Sequence, residues 1–130
     1  ANPDFGRALV GAWYELMAIM SSDSEEGIAA RTAMAEASGT DLAGYEAQLD
    51  STEMFWDPAD AVAFVESEAL PQTMVTVAEF LFEQGILGEG APGPDFVGIE
   101  YPGGVTTGDP ENIQMRFDPS FMQMAADGSL

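Results

Sequence analysis

The chain has 130 residues, the size of one ordinary domain, and its 46% hydrophobic content supports a real core and argues against disorder. Its 23 acidic residues face only three basic ones, for a formal charge of −20, which repels nucleic-acid phosphates and anionic membrane surfaces. The sequence contains neither Cys nor His, which removes zinc sites, thiol nucleophiles, haem ligation and every Ser-His or Cys-His catalytic arrangement, so no enzyme, cofactor or metal site is expected.

In chain order, Asn2-Pro3 places an N-cap before a proline at the first helical position, and Asp4 follows where the helix dipole favours it. Phe5, Leu9, Ala12, Trp13, Leu16 and Met20 then recur at steps of three and four, predicting a first helix buried over a broad face until Ser21-Ser22-Asp23. The Trp13-Tyr14 pair reads either as core or as the lining of a ligand site. Ser22 followed by Glu25 reads as a capping box and opens a second helix to about Ser38, stopped by Gly39. Ile28, Met34 and several alanines give that helix a thin apolar face. Asp41 caps a short third helix carrying Leu42, Tyr45 and Leu49 on one side.

Met54, Phe55 and Trp56 bring large side chains together just before Asp57-Pro58-Ala59-Asp60, which starts a fourth helix running to about Glu66. Side chains at such a junction are less committed to packing than those in mid-helix, and aromatic rings near a helix N-terminus suit a small polar or anionic ligand. Phe55 and Trp56 are therefore the candidate ligand-binding residues, with packing under the fourth helix as the alternative. Asp57 through Glu68 has the acidic ends of a calcium loop but lacks its central glycine and inner ligands.

Thr73 to Leu87 is apolar nearly all round through Met74, Val75, Val77, Ala78, Phe80, Leu81 and Phe82, and predicts a central core helix ended by Gly85 in a left-handed conformation, with Ile86 folding back on Leu81. With Glu79 and Glu83 inside it, this segment falls short of the roughly twenty apolar residues that span a bilayer. Gly88 to Gly93 satisfies GxGxxG, but follows a helix and runs into Pro94, so it reads as a flexible loop. Phe96 to Tyr101, Val105 to Thr107 and Ile113 to Phe117 are β-favouring runs separated by turns, which predict a small hairpin or meander. Asp118-Pro119 begins a last helix that Asp127-Gly128 ends. The expectation is one mainly α segment over 1–130: helical over 2–87, β-rich over 96–117, with a C-terminal helix over 118–127.

The ordered pieces GAWYELM, SGTDLAGYEAQL, MFWDPADAVAF, VAEFLFEQGIL and RFDPSFMQMAADGSL resemble the C-terminal part of solute-binding proteins of the nitrate, sulfonate and taurine type of ABC transporter. The resemblance covers essentially the whole chain. Thr52 to Phe64, FLFEQGIL and RFDPSFM carry it most, and the insertion from VGIEY to IQMRF points toward the urea-transporter subgroup.

The resemblance implies the C-terminal portion of a periplasmic-binding-protein-like (type II) α/β fold. Such a protein holds a small polar or anionic solute, such as urea, nitrate or a taurine-like compound, between two lobes and delivers it to ABC permease subunits. It implies a periplasmic, or exported and membrane-associated, location, with at most peripheral contact to the membrane. The family's N-terminal region has no counterpart in these 130 residues, so the expectation is a fragment that self-associates as a homo-oligomer through exposed apolar helix faces, by way of Phe5, Trp13, Leu16 or Phe80. The rival reading is a free-standing acidic helical module that binds a partner protein.

Overall fold

The computed structural model describes residues 2–130. It is mainly helical, with six α-helices and one small three-stranded mixed sheet among the described residues. The chain divides into two compact units. The first runs through Ala61 and takes up Phe121–Leu130 again, and the second is Val62–Ser120.

Helix α1 (Pro3–Met20) opens as its sequence dictates: the Asn2 Oδ1 accepts from the Asp4 and Phe5 N–H groups at 3.2 and 3.4 Å, and Pro3 occupies the first turn, where no N–H is required. Its broad apolar stripe is not covered along its length. Met17 and Met20 are buried, whereas Phe5, Leu9 and Trp13 stay exposed, at 66%, 56% and 52%. α2 (Glu25–Ala37) meets α1 at its C-terminal end, and Phe121 and Leu130 approach it at Gly6 and Gly11, which leaves the side carrying Phe5, Leu9 and Trp13 open.

The cap of α2 is Ser24, whose Oγ accepts from the Gly27 N–H at 3.1 Å, and not the expected Ser22. Ser22 is occupied in closing α1, its hydroxyl donating to the Ile19 carbonyl at 2.8 Å. The face that α2 buries is also different from the expected one. Ile28 and Met34 point outward, while Gly27, Arg31 and Ala35 are buried at steps of four. A Cβ at Gly27 would lie 2.7 Å from the Ile19 carbonyl oxygen, so the close approach of α2 to the end of α1 requires a residue without one. Helix α3 (Leu42–Asp50) is capped by Asp41, whose carboxylate accepts from the Gly44 N–H at 2.8 Å, and half-buries Leu42, Tyr45 and Leu49 on one side. Asp57 accepts from the Ala59 N–H at 2.8 Å at the start of α4 (Pro58–Val65).

In the second unit, α5 (Ala69–Glu83) begins four residues earlier than the apolar stretch alone predicts. The Ser67 hydroxyl accepts from the Leu70 N–H, and Pro71 falls within the first turn, where a missing N–H costs nothing. The C-terminus is as expected: Gly85 has φ +70°, its N–H reaches the Phe82 carbonyl at 3.0 Å, and the Ile86 N–H reaches the Leu81 carbonyl at 2.8 Å. The burial is not. Leu70 is the one fully buried side chain of α5, and Phe80 is 56% exposed, so the helix rests on one face instead of forming an enclosed centre. Ile86 is 63% exposed, and its turn is closed by backbone bonds more than by side-chain packing.

The sheet runs β2 (Thr106–Thr107), β1 (Gly98–Glu100), β3 (Ile113–Arg116). A tight 3₁₀ turn at Pro102–Gly104 joins β1 to β2 as the expected hairpin. A meander would put β3 beside β2, but β3 lies on the other edge of β1 and parallel to it, with an irregularity between Gly98 and Ile99. The short connection from β2 to β3 must therefore cross the start of β1 at very close range. That crossing explains two glycines: a Cβ on Gly108, where φ is +71°, would overlap the Val97 carbonyl oxygen, and one on Gly98 would overlap the Asp109 carbonyl oxygen. The Asn112 amide fixes the crossing by donating to the Phe96 carbonyl at 2.7 Å. Leu70 of α5 packs with Ile99 and Tyr101, joined by Met74 and Phe117, and the Tyr101 and Phe117 rings stack with centroids 5.4 Å apart. The last helix, α6 (Ser120–Ala126), begins at Asp118, whose carboxylate accepts from the Ser120 N–H at 2.9 Å.

Candidate functional site

Trp56 lies in the extended link between α3 and α4 and lines a groove of about 390 Å³ in the first unit. The buried floor comes from Met20 at the end of α1 and Arg31 of α2; Ser21 and Leu49 also line it, and Asp23, Glu46 and Asp50 supply carboxylates. Phe55, half-buried and next to Trp56 in sequence, is not one of the lining residues. Of the two aromatic residues singled out by the junction argument, one reaches the groove and the other does not.

Arg31 organises this site and was not singled out from the sequence. Only 9% of it is exposed. One terminal nitrogen donates to the Met20 carbonyl at 2.6 Å and to the Ser22 carbonyl at 2.8 Å, and its Nε donates to Glu46 at 3.1 Å. The Met20 carbonyl belongs to the last turn of α1, where the aligned peptide dipoles leave negative charge, so a cation is favoured there. A planar guanidinium serves several acceptors at fixed angles, as a lysine ammonium would not. One side chain thus ties α1, α2 and α3 together and sets the groove floor. The available signal was scarcity: in a chain with three cations, a lone Arg within a thinly apolar helix marks a point where positive charge is needed inside.

The other two arginines belong to surface pairs, Arg7 with Asp4 at 3.6 Å and Arg116 with Glu100 at 3.5 Å. Exposed pairs of this kind contribute little stability. No buried side-chain polar atom lacks a hydrogen-bond partner among the described residues.

The groove therefore presents three carboxylates and one guanidinium already engaged with Glu46 and two carbonyls. That balance opposes an anion and suits a small solute rich in N–H donors, with the Trp56 indole available as a flat apolar surface. Among the described residues there is no group of three or more His, Cys, Asp or Glu side chains placed to hold a metal ion. The Trp13-Tyr14 pair is split, with Trp13 outward and Tyr14 half-buried. Burial, and secondarily the negative charge of Asp57, pushes the Tyr14 phenol above its ordinary pKa and keeps it protonated through neutral pH. None of the helices described is long and apolar enough to cross a membrane.

A scan against models of known protein families, a search of curated proteins and a search of solved structures each return no match to this chain.

Proposed function

We propose that this chain is part of the solute-binding component of an ABC importer, with the type II periplasmic-binding-protein-like architecture that its sequence resembles. In this reading it is a binding protein and not an enzyme; it works outside the cytoplasmic membrane and hands its solute to permease subunits. The groove at Trp56 is one wall of the solute site. The observation that supports this reading is the meeting of Trp56 with Asp23, Glu46 and Asp50 over a floor fixed by Arg31.

Within the class of small nitrogen and sulfur compounds, that lining favours a neutral planar amide such as urea over nitrate or taurine. Urea has four N–H donors for the carboxylates, whereas an anion meets net negative charge. The apolar faces left open on α1 and α5 are surfaces for further polypeptide, either additional chain or a second copy. Phe5, Leu9 and Trp13 on α1 and Val75, Val77, Phe80 and Phe82 on α5 are the exposed large side chains there. A site built on a single wall binds weakly, because affinity in a cleft comes from burying most of the ligand.

The test is titration with urea, acetamide, nitrate and taurine in a Trp13→Phe background, where Trp56 is the remaining tryptophan. The expected result is a fluorescence change with the two amides at about millimolar strength, near −4 kcal/mol, lost in Arg31→Met and absent with both anions. Nitrate or taurine binding more tightly than urea, or no response to either amide, would overturn the proposal.

A further inference from the structure

The second unit holds a separate cavity that the solute-site proposal does not use. At its N-terminal end α5 closes on the sheet through Leu70, which packs with Ile99 and Tyr101. Further along α5, Met74, which still packs against that cluster, and Ala78 join Val97 and Ile99 in bordering two cavities of about 330 and 150 Å³. Ala78, whose side chain is a single methyl group, lines both.

The smaller cavity continues to Val77, Leu81 and Met115 and is lined almost wholly by carbon. An open apolar pocket of this size accepts a small ring or short chain, the ligand class known for carbon-lined cavities of about 150 Å³. The larger one carries polar groups as well: Glu79, Asp95 and Thr107. The Thr107 hydroxyl is paired with the Tyr101 hydroxyl at 3.0 Å, which leaves the two carboxylates as the charged groups of the lining. Among the described residues no basic side chain lines either cavity.

We propose that this slot binds a small amphipathic amine, with its apolar ring or short aliphatic body between α5 and β1 and its ammonium at Glu79 and Asp95. Two considerations fix that chemistry. The concave carbon surface selects the body, since ligand pockets bury most of an apolar ligand and use few polar groups to orient it. Charge complementarity selects the head, because a carboxylate ligand would meet two like charges with no counter-charge in the lining. A neutral ring gains the first contribution without the second.

Benzylamine, toluene and benzoate separate these contributions at nearly constant size. With methionine methyl groups labelled, benzylamine is expected to shift the Met74 and Met115 resonances and to show ring-to-methyl contacts with both. Toluene should do so about fivefold more weakly, the effect of partly exposed charge pairs, and benzoate should not. Ala78→Phe fills the slot and should abolish benzylamine binding. Because that substitution overpacks the unit, the Glu79→Gln, Asp95→Asn double variant is the second arm: it leaves the apolar walls unchanged and should reduce benzylamine to the level of toluene. Equal binding of benzoate and benzylamine, unmoved Met74 and Met115 methyls at saturating benzylamine, or a double variant that keeps the full preference would each overturn the proposal.

Discussion

In the unit of α1, α2 and α3 the principal buried tie is a guanidinium, while under α5 it is the apolar cluster of Leu70, Ile99 and Tyr101. The first unit brings its helices close with Gly27 and Ala35 and lets Arg31 satisfy carbonyls at a helix end. The second brings a helix to a small sheet with large side chains, and a slot lined in part by Ala78 lies beside them. The cavities inherit this difference: one is rimmed by carboxylates around a fixed cation, and the other is walled by carbon. With so few buried residues in either unit, each tie carries a large share of local stability, and each fails in its own way.

Arg31→Met is the strongest way to break the comparison. It keeps an apolar stem but leaves the Met20 and Ser22 carbonyls without their donor, and each orphaned buried acceptor costs about 1–3 kcal/mol. Hydrogen exchange should show α2 and α3 losing amide protection while α5 and β1 keep theirs; equal loss in both units would mean that they are not held separately. The mirror experiment is Ile99→Ala, a large-to-small change in the apolar cluster expected to cost about 2–3 kcal/mol. Its protection loss should concentrate in α5 and the sheet.

Tyr101→Phe sharpens the second half by removing only the hydroxyl that meets Thr107, leaving the stack on Phe117 intact. The expected loss in a denaturant melt is about 1 kcal/mol. The smallest effect is at Asp118, where the hydrogen bonds from Ser120, backbone first, hold the carboxyl below its ordinary pKa of 3.8. A depressed folded-state pKa stabilises above the unfolded value and is lost as pH falls through the folded one. Wild type and Asp118→Asn should therefore converge in stability as pH drops below about 4, with the difference at neutral pH under about 1 kcal/mol. A gap that widens on acidification would reverse the sign and refute the assignment.

Caps and stops were the most legible part of the sequence. Asn2, Asp41, Asp57, Asp118, Gly39 and Gly85 act where local rules place them, because a cap is decided by a few neighbouring atoms. Which face is buried was less legible. The stripes on α1 and α5 are apolar, but amphipathicity states what a face prefers, not whether anything covers it, and Phe5 and Phe80 remain exposed. Ser22 misled because two serines stood within reach of one helix start, and the other end of the loop claimed the first. The β1–β3 pairing depends on a backbone crossing that needs glycines at 98 and 108, a long-range condition that no local pattern prints. At the groove, Trp56 was legible as a junction residue. Arg31 was not, since its value comes from carbonyls nine and eleven residues away.

The most direct test of the account is a single NMR titration with urea that reads both cavities at once, following the Trp56 indole N–H together with the Met74 and Met115 methyl groups at concentrations well below those that denature. The proposed solute site predicts that the Trp56 resonance moves saturably while both methyl groups stay still, and that nitrate and taurine leave all three unmoved. Urea that shifts the methionine methyls in step with Trp56, or that leaves Trp56 where it was, would contradict the assignment of the groove as the wall of a urea-type solute site.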